Sequence, residues 1–544
     1  MFIEQIEITG FRGISQLSLT FNPESSVLIG ENRWGRSSLI SALKLLSLDN
    51  KFYQFVDSDF YHDRDENYGD KISIVVTYCE SYSTELDSEV YARLRPMASP
   101  NESDHLYRLC YQISADKQDN GIFTQHRLID PHGKALSTEQ SQPLIAILIS
   151  LNPVMALKNS INTDNLPINN QPLSQYYIEQ LSNQLKTHSA QLSQDELSRG
   201  LNAARALLEY YFADYQHRYH YKQANKQASP RIEDWNSLER INNILDDLDN
   251  SYLRSALLGI FGSIIDAKGN NPLSQSAVPI LILEEPESQL HPIILAVGFR
   301  LLKNLPTQKI ITSNSSDLVA LFPLENIYRL IRMPDQIVTK YIPPKSLSVD
   351  DSRRIMFHIF YRRASAIFAR SWLLVEGETE VWLLRELAEQ SGYHLSSEGV
   401  QFIEFAQCGL KPLIKYANKM GIHWYVITDG DMAGKKYADI VKSLAPPDKD
   451  PSDYLTVLPA RDIENFLFKH GFSHVYKLAA YNTVQHIDMS VPKIIQKAIH
   501  RRSKPDLAIA VCDDAKSRGV GAIPRLLIDT FAKIVKSSME LVSK

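Results

Sequence analysis

The stretch Val27-Leu-Ile-Gly30-Glu-Asn32-Arg-Trp-Gly35-Arg36-Ser37-Ser38 decides how this chain is read. An apolar run ends in a glycine, a second glycine follows after four intervening residues, and a basic residue and two serines open an apolar segment. This is the pattern GxxxxGK[ST] at every fixed position except the lysine, which is Arg36. Such a loop turns backbone N–H groups and a helix N-terminus toward phosphates and leaves a serine hydroxyl for Mg²⁺. Upstream, MFIEQIEITGF alternates as a strand over Phe2–Ile8, with a turn at Gly10–Gly13 and two short strands before the loop. Downstream, a helix is predicted from Ser37 to about Leu48. Strand, loop and helix in this order begin an α/β nucleotide-binding layer. The candidate nucleotide contacts are Gly30, Asn32, Gly35, Arg36, Ser37 and Ser38, with Ser37 a candidate Mg²⁺ ligand.

The surrounding composition is that of a globular protein. The 544 residues are 44% hydrophobic and 22% charged, which excludes disordered, collagen-like and fibrous classes. That length suggests three or four modules. With a net charge of −5, any nucleic-acid surface has to be a local basic patch. Cys79, Cys110, Cys408 and Cys512 are far apart, with no zinc spacing, as expected of a reduced compartment. The N-terminus does not read as a signal peptide, and the apolar stretch Leu144–Leu151 is far short of the roughly 20 residues a span needs. A cytoplasmic protein without membrane contact is expected.

Further strands are predicted at Ile72–Cys79 and Leu106–Ile113. From about Lys158 to Gln175 the chain turns polar and Asn-rich, as a linker does. Ser193 and Glu196 form a candidate capping box before a helix with Leu197, Leu201, Ala204 and Leu208 on one stripe. Trp235, Leu238, Ile241, Leu245 and Leu248 make a second stripe. The α/β pattern resumes with a strand over Val278–Glu285 and another near Lys309–Ser313. Pro343-Pro344 begins a connector, and a second α/β unit starts at Ser371. The expected division is a head in two parts, 1–158 and 251–345, a helical insertion at 159–250, a connector at 346–370 and a second domain at 371–544.

The strand ending Glu284-Glu285-Pro-Glu supplies two acids, one for the Mg²⁺ shell and one to orient an attacking water. Taken together, the N-terminal I-x-x-F-R-G, the GENxxG loop, the EEPExxLHP element and the later ITSNSSDL resemble the ABC-type ATPase head shared by SMC, RecF and OLD-family proteins. The resemblance implies ATP with Mg²⁺ as ligand and a signature helix, placed near Ser255–Ser263. Asn314 stands where that family has a switch histidine. Arg36 is the chief departure: a guanidinium is wide and planar where lysine is a compact charge. Nucleotide binding is expected, and hydrolysis is left open.

In the second unit, Ser371-Trp-Leu-Leu-Val-Glu376-Gly377-Glu378-Thr379-Glu380 reads as strand, tight turn and helix, with both Glu376 and Glu380 able to face one cleft. Trp424-Tyr-Val-Ile-Thr-Asp429-Gly-Asp431 is a second strand ending in acids. Carboxylates at the carboxyl ends of parallel strands converge where such sheets place their sites, and clustered carboxylates select Mg²⁺ or Mn²⁺. The two motifs resemble those of the Toprim domain of topoisomerases, primases and OLD-family nucleases. The resemblance implies a two-metal phosphodiesterase site with Glu376, Glu380, Asp429 and Asp431 as metal ligands and Glu464 assisting, with Asp462 beside it. It also implies that Lys504, in the K-P-x-L-A pattern, stabilises charge on the scissile phosphate. No tyrosine suggests a covalent topoisomerase intermediate, and there is no zinc module of a primase.

Weaker signals remain. Tyr210-Tyr211-Phe212 with His217, His220 and Lys222 reads as a packing or dimer surface. Lys411, Lys415 and Lys419, with Lys435, Lys436, Arg501 and Arg502, are either a solvated face or a DNA-contacting rim. Head, helical insertion and Toprim in this order form the layout of OLD-family nucleases. The resemblance therefore implies a metal-dependent DNA endonuclease with an ATP-binding head, a homodimer or higher homo-oligomer, acting in phage defence or DNA processing, and at times beside a helicase. The alternatives are an SMC- or RecF-like DNA-binding ATPase without nuclease activity, and an active ATPase that remodels nucleic acid without cutting.

Overall fold

A computed structural model describes residues 1–62, 69–157, 193, 195–196, 199–200, 203–204, 232–247, 276–289, 292–447, 449–482 and 489–543. The chain divides into two compact units, one of residues 1–331 with 335–339, the other of 332–334 with 340–544.

The first unit is built on one mixed sheet. Strands β1 (Phe2–Phe11), β2 (Ile14–Thr20), β3 (Ser25–Ile29), β4 (Lys71–Cys79), β5 (Ser99–Pro100), β6 (Tyr107–Gln118), β7 (Gly121–Ile129), β8 (Val154–Leu157), β9 (Ile280–Glu284), β10 (Lys309–Thr312), β11 (Ile327–Arg332) and β12 (Ile337–Tyr341) contribute. Their order is β5-β6-β4-β1-β2-β12-β11-β3-β10-β9-β8, with β7 paired to β6. The flank from β1 to β7 is antiparallel, whereas β8, β9, β10, β3 and β11 run parallel. In the antiparallel flank Ile3, Ile6, Ile8, Ile74, Val76, Tyr111 and Ile113 close a core with Leu39 and Leu43 of the first helix. In the parallel part β3, β9 and β10 are apolar for nearly their whole length, as strands covered on both faces are.

Several boundaries differ from the sequence expectation for local reasons. The first helix is Arg36–Lys44, not Ser37 to Leu48. Beyond it Leu45, Leu46 and Ser47 donate to carbonyls three residues back at 3.2, 3.1 and 3.1 Å, a tightened final turn. β9 starts after Pro279, which has no N–H for the ladder. It ends at Glu284 because Glu285 takes a left-handed φ of 42°. β1 runs on through Gly10 to Phe11.

Of the predicted helical insertion, the capping box is present: Ser193 N donates to Glu196 Oε2 at 3.0 Å and Glu196 N to Ser193 Oγ at 3.3 Å. Helix Ile232–Asp247 buries Leu238 and Ile241, and its Asn242 donates to Val297 O at 3.1 Å. The polar linker, most of the 197–208 stripe, Leu248, the aromatic stretch 210–222 and the signature helix near 255–263 lie outside the described residues.

The second unit carries a parallel four-stranded sheet of β13 (Ser371–Val375), β14 (Val400–Glu404), β15 (His423–Thr428) and β16 (Leu455–Val457), ordered β14-β13-β15-β16. Period two sorts the faces. Leu373, Val375, Phe402, Tyr425 and Ile427 join a core with helices Glu378–Gln390, Lys504–Arg518 and Arg525–Ser543. On the opposite face Trp372 stacks on Tyr416 of helix Leu410–Met420, centroids 5.7 Å apart and planes 7° from parallel. The C-terminal helices are thus an integral layer of this unit. The segment expected to be a connector contains helix Val349–Ile355, a π-helical turn at Met356–Tyr361 and a short 3₁₀ turn at Ala364–Phe368.

Candidate active site and nucleotide cradle

β3, β10 and β9 are adjacent and parallel, so their carboxyl ends present Gly30–Gly35, Ser313-Asn314 and Glu284-Glu285 at one edge. Two glycines shape the loop. Gly30 has φ 150° and a Cβ there would lie 2.9 Å from Leu330 O; at Gly35, φ is 87° and a Cβ would meet Ile337 Cδ1 at 2.3 Å. Ser37 opens the helix exposed. Ser38 Oγ instead accepts from Gly13 N at 3.2 Å, tying the loop to the F-R-G turn.

Arg36 does not point away from the protein. Its guanidinium is buried, donating through Nη1 to Ser313 O at 3.2 Å and through Nη2 to Asn32 Oδ1 at 2.9 Å and Asn314 Oδ1 at 2.8 Å. Burial pulls its pKa down, against Glu285 and Glu287, which raise it. Asn314 is a junction: its Nδ2 donates to Glu285 Oε1 at 2.8 Å and its backbone N to Glu287 Oε1 at 2.7 Å. Glu284 pairs with Lys44 in the last turn of the first helix. The backbone cradle fits a phosphate, while the first acid of the pair already has a lysine partner. Lys44 and Glu287 escaped the sequence reading. Glu287 lies inside the quoted EEPE element, whereas no motif marks Lys44.

In the second unit the chain passes from β13 to β14 on one side and returns across β13 to β15 on the other. The strand order therefore reverses between β13 and β15, the place where open α/β sheets bind ligands. Glu376 directly follows β13 and Asp429 directly follows β15. The turn after Glu376 folds back: Glu376 N donates to Glu380 Oε2 at 3.0 Å, which brings the two acids of the first motif together. Glu380 is pushed up to about 7, first by burial and then by Glu376 and Glu464, against the backbone N–H donors. Asp429 is pushed up to about 8 by burial, then by Glu380, Glu376, Asp462 and Glu464. Glu376 is raised by burial and by Asp431, with Lys504 opposing. Glu376, Glu380, Asp429, Asp431, Asp462 and Glu464 thus lie near enough to act on one another's charge at this end of the sheet.

Two members are also structural. Asp431 caps helix Met432–Leu444, Oδ1 accepting from Gly434 N at 2.8 Å. Asp462 caps helix Ile463–Leu467, Oδ1 accepting from Asn465 N at 2.7 Å. Two glycines permit the close approach: a Cβ on Gly430 would stand 2.4 Å from Ala460 O, and one on Gly434 1.8 Å from Asp429 O. Lys504, the first residue of helix Lys504–Arg518, reaches Glu464 Oε1 at 2.8 Å. Tyr437 and Tyr476, neither expected from sequence, border the acids. Burial raises both phenols, Tyr437 further through Glu376 and Asp431, Tyr476 further through Glu464 and Asp462.

An all-carboxylate donor set whose members raise one another's pKa fits a hard divalent cation. Among the described residues, no three His, Cys, Asp or Glu side chains are already drawn together as a metal cage. The spare oxygens of Glu376, Glu380, Asp429 and Glu464 are the candidates for that role.

Residues 1–366 match the model of a protein family of unknown function, DUF2813. This chain belongs to the DUF2813 family. A relative from Escherichia coli (strain K12), the uncharacterized protein YbjD, is 40% identical over 547 residues, covering 98% of this chain and 99% of that protein. In this DUF2813 protein residues 367–431 are an OLD-like Toprim domain, matching the model "Overcoming lysogenization defect protein-like, TOPRIM domain". Among solved structures, the C-terminal region of the Burkholderia pseudomallei OLD protein aligns at 21% identity and TM-score 0.27, over 31% of this chain and 99% of that one. The SMC head domain from Thermotoga maritima aligns at 11% identity and TM-score 0.31, over 63% of this chain and 100% of that one. The DUF2813 chain thus carries its family region on the mixed sheet of the first unit and an OLD-like Toprim match on the parallel sheet of the second. Among its described residues no helix is long and apolar enough to cross a membrane.

Proposed function

We propose that this protein is a metal-dependent DNA endonuclease whose Toprim site is coupled to an ATP-binding head. The observation that supports the reading most is the electrostatic coupling of Glu380 and Asp429 with Glu376 and Glu464 beside the strand-order reversal, with Lys504 against Glu464. Two bound Mg²⁺ or Mn²⁺ ions would activate water and steady the leaving oxygen. Glu376 and Asp429, at the ends of adjacent strands, would hold them; Glu380 is oriented by the Glu376 amide and Glu464 by Lys504. The Lys504 ammonium, half-exposed, offers a compact positive charge for a non-bridging phosphate oxygen. Asp431 and Asp462 fix the first turns of their helices and thereby the walls of the cleft.

In the head, Gly30, Asn32, Gly35, Ser37 and Ser38 would receive the nucleotide. Arg36 and Lys44, engaged with Asn314 and Glu284, favour a head that binds nucleotide and turns it over slowly. We further propose a cytoplasmic homodimer acting in DNA processing or phage defence. The test is cleavage of supercoiled plasmid with Mg²⁺ or Mn²⁺, with and without ATP, by wild type and Asp429→Ala. Metal-dependent nicking that disappears in the variant is expected. Cleavage that persists in Asp429→Ala would remove the site from this cleft, and ATP turnover without any cleavage would favour the remodelling ATPase.

A further inference from the structure

One surface of the second unit carries charge and ring area that phosphodiester hydrolysis does not use. Helix Val349–Ile355 runs into the π-helical turn Met356–Tyr361, a rare conformation frequent at functional sites. Phe357 and Tyr361 emerge four residues apart with rings 52% and 69% exposed, while Ile359 and Phe360 turn inward. Isolated exposed aromatics need no explanation, but these two sit among Arg353, Arg354 and Arg362, all exposed, where helix Val349–Ile355 packs against helix Leu410–Met420. The Arg362 guanidinium lies over the Phe357 ring, 5.4 Å from its centroid.

This ridge is joined to the carboxylate cleft. Arg362 Nη1 donates to Gln407 Oε1 at 3.1 Å, and the adjacent Ala406 donates its N–H to the carbonyl of Glu376 at 3.1 Å. The acids nearby are largely matched: Asp351 faces Lys415 at 3.5 Å and Glu404 is held by Arg363, leaving Asp350 at the helix start. The local field is positive enough to act on His358, whose pKa is lowered by burial and then by Arg362, with Glu404 opposing and Arg354 adding.

We propose that this ridge binds the unpaired bases of a nucleic-acid strand leading to the Toprim cleft, Phe357 and Tyr361 stacking on bases and Arg353, Arg354 and Arg362 holding phosphates. Flat rings interleaved with guanidinium groups suit exposed base faces, which a duplex hides in its stack. That the strand is there to be cut rests on the nuclease reading; that it binds rests on the ridge alone.

The test is fluorescence polarisation of the full-length protein in EDTA, where nothing is cut, with a labelled oligothymidine strand and a duplex of equal length. Single-strand binding tighter than duplex binding is expected. Phe357→Ala with Tyr361→Ala should weaken single-strand binding about tenfold or more and duplex binding little. Arg353→Ala, Arg354→Ala and Arg362→Ala together should flatten the salt dependence. These side chains are exposed, so unchanged melting temperatures confirm intact folds. Unchanged single-strand affinity in the ring variant, or an equal loss for duplex, overturns the proposal. Ridge-dependent binding by a protein that never cuts would leave this inference standing and sink the nuclease reading.

Discussion

The Arg36 guanidinium and the Asn314 side chain are hydrogen-bonded at 2.8 Å, and the same asparagine passes its amide N–H to Glu285 at 2.8 Å. Arg36 in the glycine loop therefore reaches, through one amide, the second acid of the pair at the end of β9. Asn314→Ala should leave a buried guanidinium with one partner fewer and Glu285 without its donor. An unmet buried partner costs about 1–3 kcal/mol, so a lowered melting temperature is expected, with ATP affinity altered in parallel. A variant as stable as wild type, with unchanged ATP binding, would show the network to be idle.

Asp429 and Glu380 tie stability to pH with a definite sign. Both carboxyls are raised in the folded protein, to about 8 and about 7. The folded state therefore holds its protons more tightly than the unfolded chain. Their contribution is fully present below the unfolded carboxylate range near pH 4 and is lost as pH rises toward 8. Metal-free protein should melt lower at pH 8 than at pH 5.5 by this route, and Mg²⁺ or Mn²⁺ should raise the melting temperature most at pH 8. Asp429→Asn should melt higher than wild type at pH 8 without metal and gain less from metal. Thermal melts across that pH range, with and without metal, check both statements.

Gly434 is the tightest point of the cleft. A methyl group there would stand 1.8 Å from Asp429 O, so Gly434→Ala must displace either the start of helix Met432–Leu444 or the end of β15. Loss of most metal-induced stabilisation and of cleavage is expected. Gly521→Ala, with nothing within 4 Å of the added carbon, is the control and should behave as wild type.

Lys504 and Glu464 separate positioning from charge. Lys504→Ala should lower kcat for plasmid cleavage about a hundredfold, the scale of one lost electrostatic contact in a transition state. KM should change much less, and metal-induced stabilisation should remain. Lys504→Arg keeps the charge but not the compact shape, so only partial rescue is expected. A matched fall in metal affinity would assign Lys504 to holding Glu464 in place instead.

The parts of this architecture that sequence revealed are those set by periodicity and by glycine. The apolar runs of β3, β9, β13 and β15 mark buried parallel strands, and Gly30 and Gly35 stand where a backbone carbonyl and the Ile337 side chain leave no room for a Cβ. The acids at strand ends were legible for the same reason, since a strand's last residue has a fixed place in an α/β sheet. Hidden were relationships made by tertiary packing: Lys44 meeting Glu284, Tyr437 and Tyr476 bordering the acids, and the C-terminal helices lying against the Toprim sheet. No local pattern encodes which face of a distant helix will meet a strand end. The π-helical turn at Met356–Tyr361 was equally invisible, because one extra residue in a helical turn leaves no compositional trace.

Asp431 and Asp462 have a mechanical consequence. Each uses one carboxylate oxygen to fasten the first turn of a helix. On the proposed reading, a cation held by the neighbouring acids would bear on both caps at once, and the backbones of Met432–Leu444 and Ile463–Leu467 would stiffen with it. Metal binding at the centre would thereby be readable from the outside of the protein, as slowed amide exchange in two helical ends.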